Sequence, residues 1–259
     1  MLVALTALAA AGLTLYSGFG LGTLLLPVFA LFFPAPVAVA ATAVVHGANN
    51  LFKLLLVGRH ADRRLVLRFG LPAILAAFLG AALLGLLAGL GEVGRYEIAG
   101  RTAVVTPVKL VLGVLMLFFA LFELLPSLRA IRFGDRHLVA GGLLSGFFGG
   151  ISGHQGALRS AFLTKVGLST EAFVGTNAVI GFLVDAARLA IYTAAFALAG
   201  RANPLGAGEW PLVATGAVAA FAGVVLGSRF LHKVPMAAVR WLTGVLLLAI
   251  ALALGAGWI

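Results

Sequence analysis

The sequence predicts an all-α polytopic membrane protein built from two inverted repeats, and three observations lead to that prediction. The 259 residues are 62% hydrophobic and 10% charged, whereas soluble domains are about 45–50% apolar and about 25% charged. Apolar runs of about 18 residues or more recur along the chain, and each is long enough to cross a bilayer. Spaced identities between the two halves indicate an internal repeat. The expected location is the cytoplasmic (inner) membrane of a bacterium, with several passes.

Eight apolar segments account for most of the chain. They cover residues 2–33, 37–57, 69–90, 108–125, 138–166, 172–199, 210–230 and 241–259. Gly-rich stretches at 17–23 and 150–156 interrupt the first and fifth segments. Glycine is a poor helix former, and irregular backbone at membrane depth persists only where protein or a water-filled cavity covers it. Both segments are therefore predicted to be helical hairpins with a binding loop at the break. Residues 91–106 alternate in polarity and predict an external β-hairpin.

The distribution of basic residues distinguishes two topologies. If all eight segments cross the membrane, the loop Lys and Arg residues divide eight to seven between the two sides. If the first and fifth segments re-enter, they divide eleven to four, which agrees with the positive-inside rule. Each half then has one hairpin and three spans, and this odd number of spans inverts the second half relative to the first. Eight full spans remain the alternative.

Identities at a fixed offset define the two repeats. Adding 134 to four residue numbers gives a residue of the same type each time. The pairs are Gly12 and Gly146, Gly22 and Gly156, Thr42 and Thr176, and Gly47 and Gly181. We expect one transmembrane domain with a first repeat at 1–130 and a second at 131–259. Transporters of this design bind their substrate at the interface between the repeats.

Composition and motifs exclude several functional classes. The net charge of +10 lies mainly in short loops, so it does not indicate a nucleic-acid partner. The chain has no cysteine, no HExxH pair and no Walker-type loop, so we expect no enzyme activity, no cofactor and no metal. Ser152 and His154 are only two residues apart, which is poor evidence for a catalytic dyad. An intramembrane hydrolase is therefore a distant alternative.

The two breaks predict an anion-binding site. A helix that restarts after a break presents free N–H groups and the positive end of its dipole, which favour an anion. Tight helix packing through small residues is the alternative for the glycines. The candidate substrate-binding residues are glycines or polar residues at the breaks or on the helices that follow them. They are Gly20, Gly22, Thr23, Asn49, Asn50, Lys53, Ser152, Gly153, His154, Gln155, Gly156, Arg159, Thr176 and Asn177.

Three residues are candidates for coupling transport to protons. His154 could titrate near neutral pH, or it could donate a fixed hydrogen bond to the substrate. Asp185 and Arg188 lie three residues apart and therefore share one helix face. They are either a neutralising ion pair, or Asp185 is a proton carrier or a counter-charge of the anion site. His46 is expected to be a buried, hydrogen-bonded residue.

Several stretches resemble the sulfite exporter TauE/SafE family, also called the toluene sulfonate uptake permease family. Gly18-Phe19-Gly20-Leu21-Gly22, followed by Leu24-Leu25-Leu26-Pro27, is similar to the family's Gly-rich turn and proline. Pro36 with Val37-Ala38-Val39-Ala40-Ala41-Thr42 is similar to the stretch that follows. The resemblance covers nearly the whole chain. In the second half this chain has Ser152-Gly153-His154-Gln155-Gly156 where the family has more glycines and a proline, which indicates a subgroup with its own substrate preference.

The resemblance implies transport of small sulfur-containing anions such as sulfite, thiosulfate or an organosulfonate such as sulfoacetate. We therefore expect a secondary transporter that holds its anion between the two breaks. Its expected partners are the anion, the lipid bilayer and a coupling proton, and a homodimer is left open. An anion channel and a non-transporting membrane scaffold are the alternatives.

Overall fold

The computed structural model describes residues 1–13, 20–98, 100–131, 133–198, 205–230 and 236–259. In these residues ten main helices follow one another. They are α1 (Leu2–Leu13), α2 (Leu21–Ala30), α3 (Ala35–Val57), α4 (Arg63–Gly89), α5 (Pro107–Leu124), α6 (Leu138–Ser152), α7 (Gln155–Leu163), α8 (Thr170–Leu198), α9 (Trp210–Phe230) and α10 (Met236–Gly255). Helix α4 contains a π-helical turn at Val66–Gly70, and short helical turns cover Gly58–His60, Pro126–Arg129, Asp135–His137 and Thr164–Val166. The all-α polytopic class is confirmed.

The fifth apolar segment is a hairpin, because α7 folds back along α6. A Cβ added at Gly149 would lie 2.8 Å from Cβ of Gln155, and one added at Gly141 would lie 2.5 Å from the ring of Phe162. Ahead of α6, the N–H of Phe133 donates to the carbonyl of Ala161 at 3.3 Å. Helices α6 and α7 have 15 and 9 residues, and neither reaches the about 20 residues that cross a bilayer.

The first segment has the same design. Helices α1 and α2 have 12 and 10 residues and pack against each other. Ser17-Gly18-Phe19 of the predicted first break lies outside the described residues. At the C-terminal end of that break, Gly20 has φ of 118°, a backbone conformation that residues other than glycine rarely adopt. Gly153 provides the corresponding left-handed turn between α6 and α7, with φ of 81°.

Five of the described helices are long and apolar enough to cross a membrane. They are α3 to α5, α8 and α9, with the apolar part of α3 extending to His60 and that of α9 ending at Gly227. Helices α3 and α8 cross in close contact at one glycine of each helix, Gly47 and Gly181. A Cβ at Gly47 would lie 3.3 Å from Cβ of Asp185, and one at Gly181 would lie 2.6 Å from Nδ2 of Asn50. This close crossing brings the polar residues of both helices together.

Reciprocal contacts relate the two halves. A Cβ at Gly113 of α5 would lie 3.0 Å from the carbonyl oxygen of Ala251 and 3.2 Å from N of Gly255 on α10. A Cβ at Gly244 of α10 would lie 2.6 Å from Leu124 and 3.4 Å from the carbonyl oxygen of Ala120 on α5. Residues 113 and 244 are 131 positions apart, and the same offset relates 120 to 251 and 124 to 255. Each helix therefore offers the other the same surface, as in a two-fold contact.

The external β-hairpin is present as predicted. Strands β1 (Gly94–Ile98) and β2 (Arg101–Val105) pair in antiparallel register. The hairpin is attached to the C-terminal end of α10, where the N–H of Val104 donates to the carbonyl of Gly257 at 3.0 Å. Tyr96 Oη donates to the carbonyl of Ala256 at 2.5 Å, and Lys109 Nζ donates to the carbonyl of Val104 at 2.8 Å.

Some predicted boundaries were wrong by a few residues. Helices α2 and α7 begin at Leu21 and Gln155, within the predicted Gly-rich breaks at 17–23 and 150–156. Each follows closely on a glycine with positive φ, which marks the end of the turn. The third segment begins at Arg63, because the side chain of Asp62 accepts the N–H of Leu65 at 3.0 Å and caps the helix there.

Candidate anion site

Asp185 of α8 is the centre of a buried polar cluster at the crossing of α3 and α8. Its Oδ2 accepts hydrogen bonds from His46 Nδ1 at 2.7 Å and from Asn50 Nδ2 at 3.0 Å, both on α3. Its Oδ1 accepts from Gln155 Nε2 at 3.1 Å and from Arg188 Nε and Nη2 at 3.0 and 2.8 Å. A fully buried carboxylate is tolerated only with such partners. Three elements, α3, α7 and α8, are thus joined at one side chain.

The predicted pair of Asp185 and Arg188 forms a buried ion pair, with both side chains at 0% exposure. Arg188 also approaches the second hairpin, since its Nη1 lies 3.5 Å from the carbonyl oxygen of Gly149. One turn later, Tyr192 donates a hydrogen bond to the carbonyl of Gly150. Arg188 and Tyr192, which both lie on α8, therefore hold the C-terminal end of α6 against α8.

Arg159 connects α7 to the first turns of α8. Its Nε donates to Oδ1 of Asn177 at 2.6 Å and its Nη1 donates to Oε1 of Gln155 at 3.0 Å. Gln155 in turn donates to Asp185, so Arg159 belongs to the same network. Lys53 lies on α3 within electrostatic reach of Arg159, is 8% exposed, and forms no ion pair within the described part of the chain.

The charges of this region do not balance. Three cations, those of Lys53, Arg159 and Arg188, share it with one carboxylate, that of Asp185, which leaves an excess of two positive charges while the imidazoles are neutral. The other buried carboxylate of the described residues, that of Glu123, lies in the last turn of α5. Uncompensated charge at membrane depth is costly and is typical of ion and substrate pathways. The region is therefore suited to an anion.

The tips of the two hairpins meet beside this cluster. A Cβ added at Gly22 would lie 3.2 Å from the carbonyl oxygen of Gly153 and 3.5 Å from Cδ2 of His46. Neither N-cap residue, Gly20 of α2 or His154 of α7, makes a side-chain cap hydrogen bond. The first N–H groups of a helix favour an anion, and those of α2 and α7 lie around Thr23 and Gly156.

His154 occupies a different environment from the Asp185 cluster. Its ring stacks on Phe119 of α5 with centroids 4.9 Å apart and an interplanar angle of 11°. Nδ1 lies 3.0 Å from Ser152 Oγ, and the Ser152 hydroxyl donates to the carbonyl of Phe148 at 3.0 Å. Because that hydroxyl uses its proton on Phe148, Nδ1 must be the donor to it. Nε2 is buried without a partner, so it is an unused acceptor in the neutral ring.

The structure brings several of the predicted site residues together, but not all. Gly22, Asn50, Gln155, Arg159, Asn177, Asp185 and Arg188 lie in or against the network. Thr176 faces elsewhere, since its Oγ1 accepts the N–H of Asp62 at 2.9 Å and so pins the turn between α3 and α4. Asn49 is fully buried, and neither amide atom has a hydrogen-bond partner among the described residues.

Sequence reasoning missed three contributors. It expected His46 to be hydrogen-bonded but did not place it in the site, although it lies one turn before the candidate Asn50. Tyr192 was missed although it lies four residues after Arg188, on the same helix face. The stacking of Phe119 on His154 had no signal in the sequence, because it joins residues of two distant segments.

Comparison with known proteins decides the family. The family model of the sulfite exporter TauE/SafE matches residues 3–254, which is nearly the whole chain. The chain belongs to the TauE/SafE family. No curated protein and no solved structure matches it. This TauE/SafE protein is therefore a multi-pass membrane protein of a transporter family of the sulfite-exporter type, as its resemblance predicted.

Proposed function

We propose that this TauE/SafE protein is a secondary transporter of small sulfur oxoanions or organosulfonates in the cytoplasmic membrane of a bacterium. The observation that carries the proposal is the excess positive charge between two uncapped helix N-termini. Three cations and one carboxylate are buried there, beside the point where Gly22 approaches Gly153. An anion in this space would offset the excess of cations over carboxylates among these buried side chains.

The donors of the site match a sulfonate or sulfite group. Such a group presents three oxygens, and a guanidinium can bind two of them at once. Arg159 is one such guanidinium, held by Asn177 and Gln155. Lys53 adds a point charge, and the first N–H groups of α2 and α7 add uncharged donors. Arg188 is engaged by Asp185 and is assigned to holding the site together.

The two-fold design supports alternating access. The reciprocal contacts of Gly113 and Gly244 support the inverted repeats at 1–130 and 131–259. Each repeat supplies one hairpin tip and one crossing helix to the same space. Rocking of one repeat against the other would expose that space first to one side of the membrane and then to the other.

A counterflow experiment in proteoliposomes tests the proposal. Vesicles loaded with unlabelled sulfite should take up labelled sulfite or sulfoacetate through the wild-type protein. Arg159→Gln should lower the uptake about tenfold or more, since a hydrogen bond to a charged group contributes about 1.5–3 kcal/mol. Arg64→Gln is the control, because Arg64 is exposed and forms only a 3.6 Å surface pair with Asp135.

Two outcomes would contradict the proposal. Conductance that rises without saturation, in place of counterflow, would show a channel. Absence of uptake and of binding for every sulfur anion, in protein that is folded, would show a non-transporting scaffold.

A further inference from the structure

We propose that His46, oriented by Asp185, is the residue that binds the coupling proton, and that it does so at the edge of the anion site. This inference rests on the proposed function and makes it more specific. It assigns to His46 a role for which the sequence had suggested His154.

The geometry fixes which nitrogen of His46 is free. Nδ1 lies 2.7 Å from Oδ2 of Asp185, and a carboxylate can only accept, so Nδ1 carries a hydrogen. Asn50 Nδ2 donates to the same oxygen at 3.0 Å and helps to hold it in place. The neutral ring therefore has its lone pair at Nε2. That atom forms no hydrogen bond within the described part of the chain.

The free edge of the ring borders the meeting point of the hairpins. Cδ2, which is bonded to Nε2, would lie 3.5 Å from a Cβ at Gly22, in the first turn of α2. The same added Cβ would lie 3.2 Å from the carbonyl oxygen of Gly153. The His46 side chain is 10% exposed, whereas that of Asp185 is 0% exposed. His46 is therefore more accessible to a proton than Asp185, and its ring edge lies beside the space proposed for the anion.

The surrounding charges make protonation depend on the anion. His46 faces Asp185 and Arg188 of α8 and Arg159 of α7, with Lys53 further along its own helix, and α2 contains no charged residue. Without an anion, a proton on His46 adds a fourth cation to a region with one carboxylate. With an anion bound, that added charge is compensated. Anion and proton therefore favour each other's binding, and this linkage is reciprocal.

The proton step is simple. A proton from the water on one side of the membrane binds to Nε2 of His46, and the lone pair of Nε2 becomes the new N–H bond. Asp185 stabilises the resulting imidazolium through the 2.7 Å hydrogen bond. After the repeats have rocked, the anion leaves, and the N–H bond breaks to return the proton to water on the other side. No other bond is formed or broken, and the net event is co-transport of one proton with the anion.

His154 lacks the features that suit His46 to this role. It forms no ion pair with a carboxylate in the described part of the chain, and its Nε2 is buried. Arg188 Nη1 lies 2.8 Å from the Cβ position of the adjacent Gly153. A proton on His154 would therefore add a charge beside a cation, in an apolar contact with Phe119.

The first experiment separates coupling from transport. In wild-type proteoliposomes, an inwardly directed proton gradient of about one pH unit should raise anion accumulation about tenfold if one proton accompanies each anion. His46→Gln keeps an amide that can bond Asp185 but cannot titrate, so we expect counterflow without any gain from the pH gradient. His154→Gln should keep the gain, whatever its anion affinity. His60→Gln is the control, since His60 is exposed just beyond α3.

The results distinguish failure of this inference from failure of the proposed function. Absence of counterflow in the wild-type protein would contradict the proposed transport function itself. Counterflow that is insensitive to a pH gradient in wild type, or a gradient effect that survives in His46→Gln, would overturn the role of His46 and leave the transporter intact.

A second measurement needs no variant and applies even if His46→Gln does not fold. Sulfite binding to the purified wild-type protein is measured by calorimetry in buffers with different ionisation enthalpies. Uptake of up to about one proton per anion, with a maximum at a pH between the pKa values of the anion-free and anion-bound protein, is the expected result. Sulfite binding with no proton uptake at any pH would overturn the inference.

Discussion

The two hairpins share a backbone design but differ in chemistry. Each turns at a glycine with positive φ, Gly20 or Gly153, and each restarts as a short helix without a side-chain cap. Helix α2 then carries no charged residue, whereas α7 carries Arg159 and the polar Gln155. The difference teaches that similar backbone geometry occurs in both hairpins, while the buried charges of the cluster lie on α3, α7 and α8.

The largest effects are expected where the shared design depends on glycine. A Cβ at Gly146 would lie 1.9 Å from the carbonyl oxygen of Ala73, and one at Gly223 would lie 2.2 Å from that of Leu8. These are backbone atoms that cannot give way cheaply. Overpacking a core typically costs about 1–3 kcal/mol, and these backbone clashes should exceed that range and prevent stable folding of Gly146→Ala and Gly223→Ala. Yield of folded protein after detergent extraction and its melting temperature measure the loss.

Gly89→Ala is the matched control, because no atom lies within 4 Å of a Cβ there. If Gly146→Ala were as stable as Gly89→Ala, the close packing of α4 on α6 would be wrong. Tolerance at only one of positions 146 and 223 would show that the two halves pack less alike than the contacts indicate.

A smaller but still large effect is expected in the part of the site that the halves do not share. Asp185→Asn removes the one carboxylate among three buried cations and leaves Arg188 unpaired. Breaking a buried ion pair costs about 3–5 kcal/mol where the remaining charge stays buried, and less where water reaches it. Bound sulfite should restore less stability to this variant than to wild type, since the site has lost its order. A variant as stable as wild type would contradict the central position of Asp185.

The smallest effect is expected at the β-hairpin, which lies in the first half of the chain. Tyr96→Phe removes the hydrogen bond to the carbonyl of Ala256 and should cost about 0.5–1.5 kcal/mol. Proteolysis at the hairpin should become faster, while sulfite counterflow stays at the wild-type rate. A change in counterflow would mean that the clasp between the hairpin and α10 takes part in transport.

The sequence predicted the fold well because hydrophobic length and glycine breaks act locally. The apolar runs gave all the long helices, and Gly150–Gly156 indicated a hairpin that the contacts of Gly141 and Phe162 confirm. The start of α4 at Arg63 was missed because the cap by Asp62 begins the helix before the apolar run that starts at residue 69.

The site was predicted only in part, because its contacts are non-local. Residues near a break, such as Gln155 and Arg159, could be selected from the break itself. The link of His46 to Asp185 spans 139 positions of the chain and depends on how α3 crosses α8. The hydroxyl of the candidate Thr176 accepts the N–H of Asp62, a contact over 114 positions that no local pattern could indicate.

Anion-dependent thermal stability of the purified wild-type protein tests the central claim most directly. The panel contains sulfite, thiosulfate, sulfate, sulfoacetate, taurine, phosphate, acetate and chloride. A ligand at about 100 times its dissociation constant should add about 2.7 kcal/mol to the free energy of unfolding. We predict a rise in melting temperature for sulfur oxoanions or sulfonates that Arg159→Gln abolishes. No rise with any of these anions, or an equal rise in Arg159→Gln, would contradict an anion site between the hairpin tips.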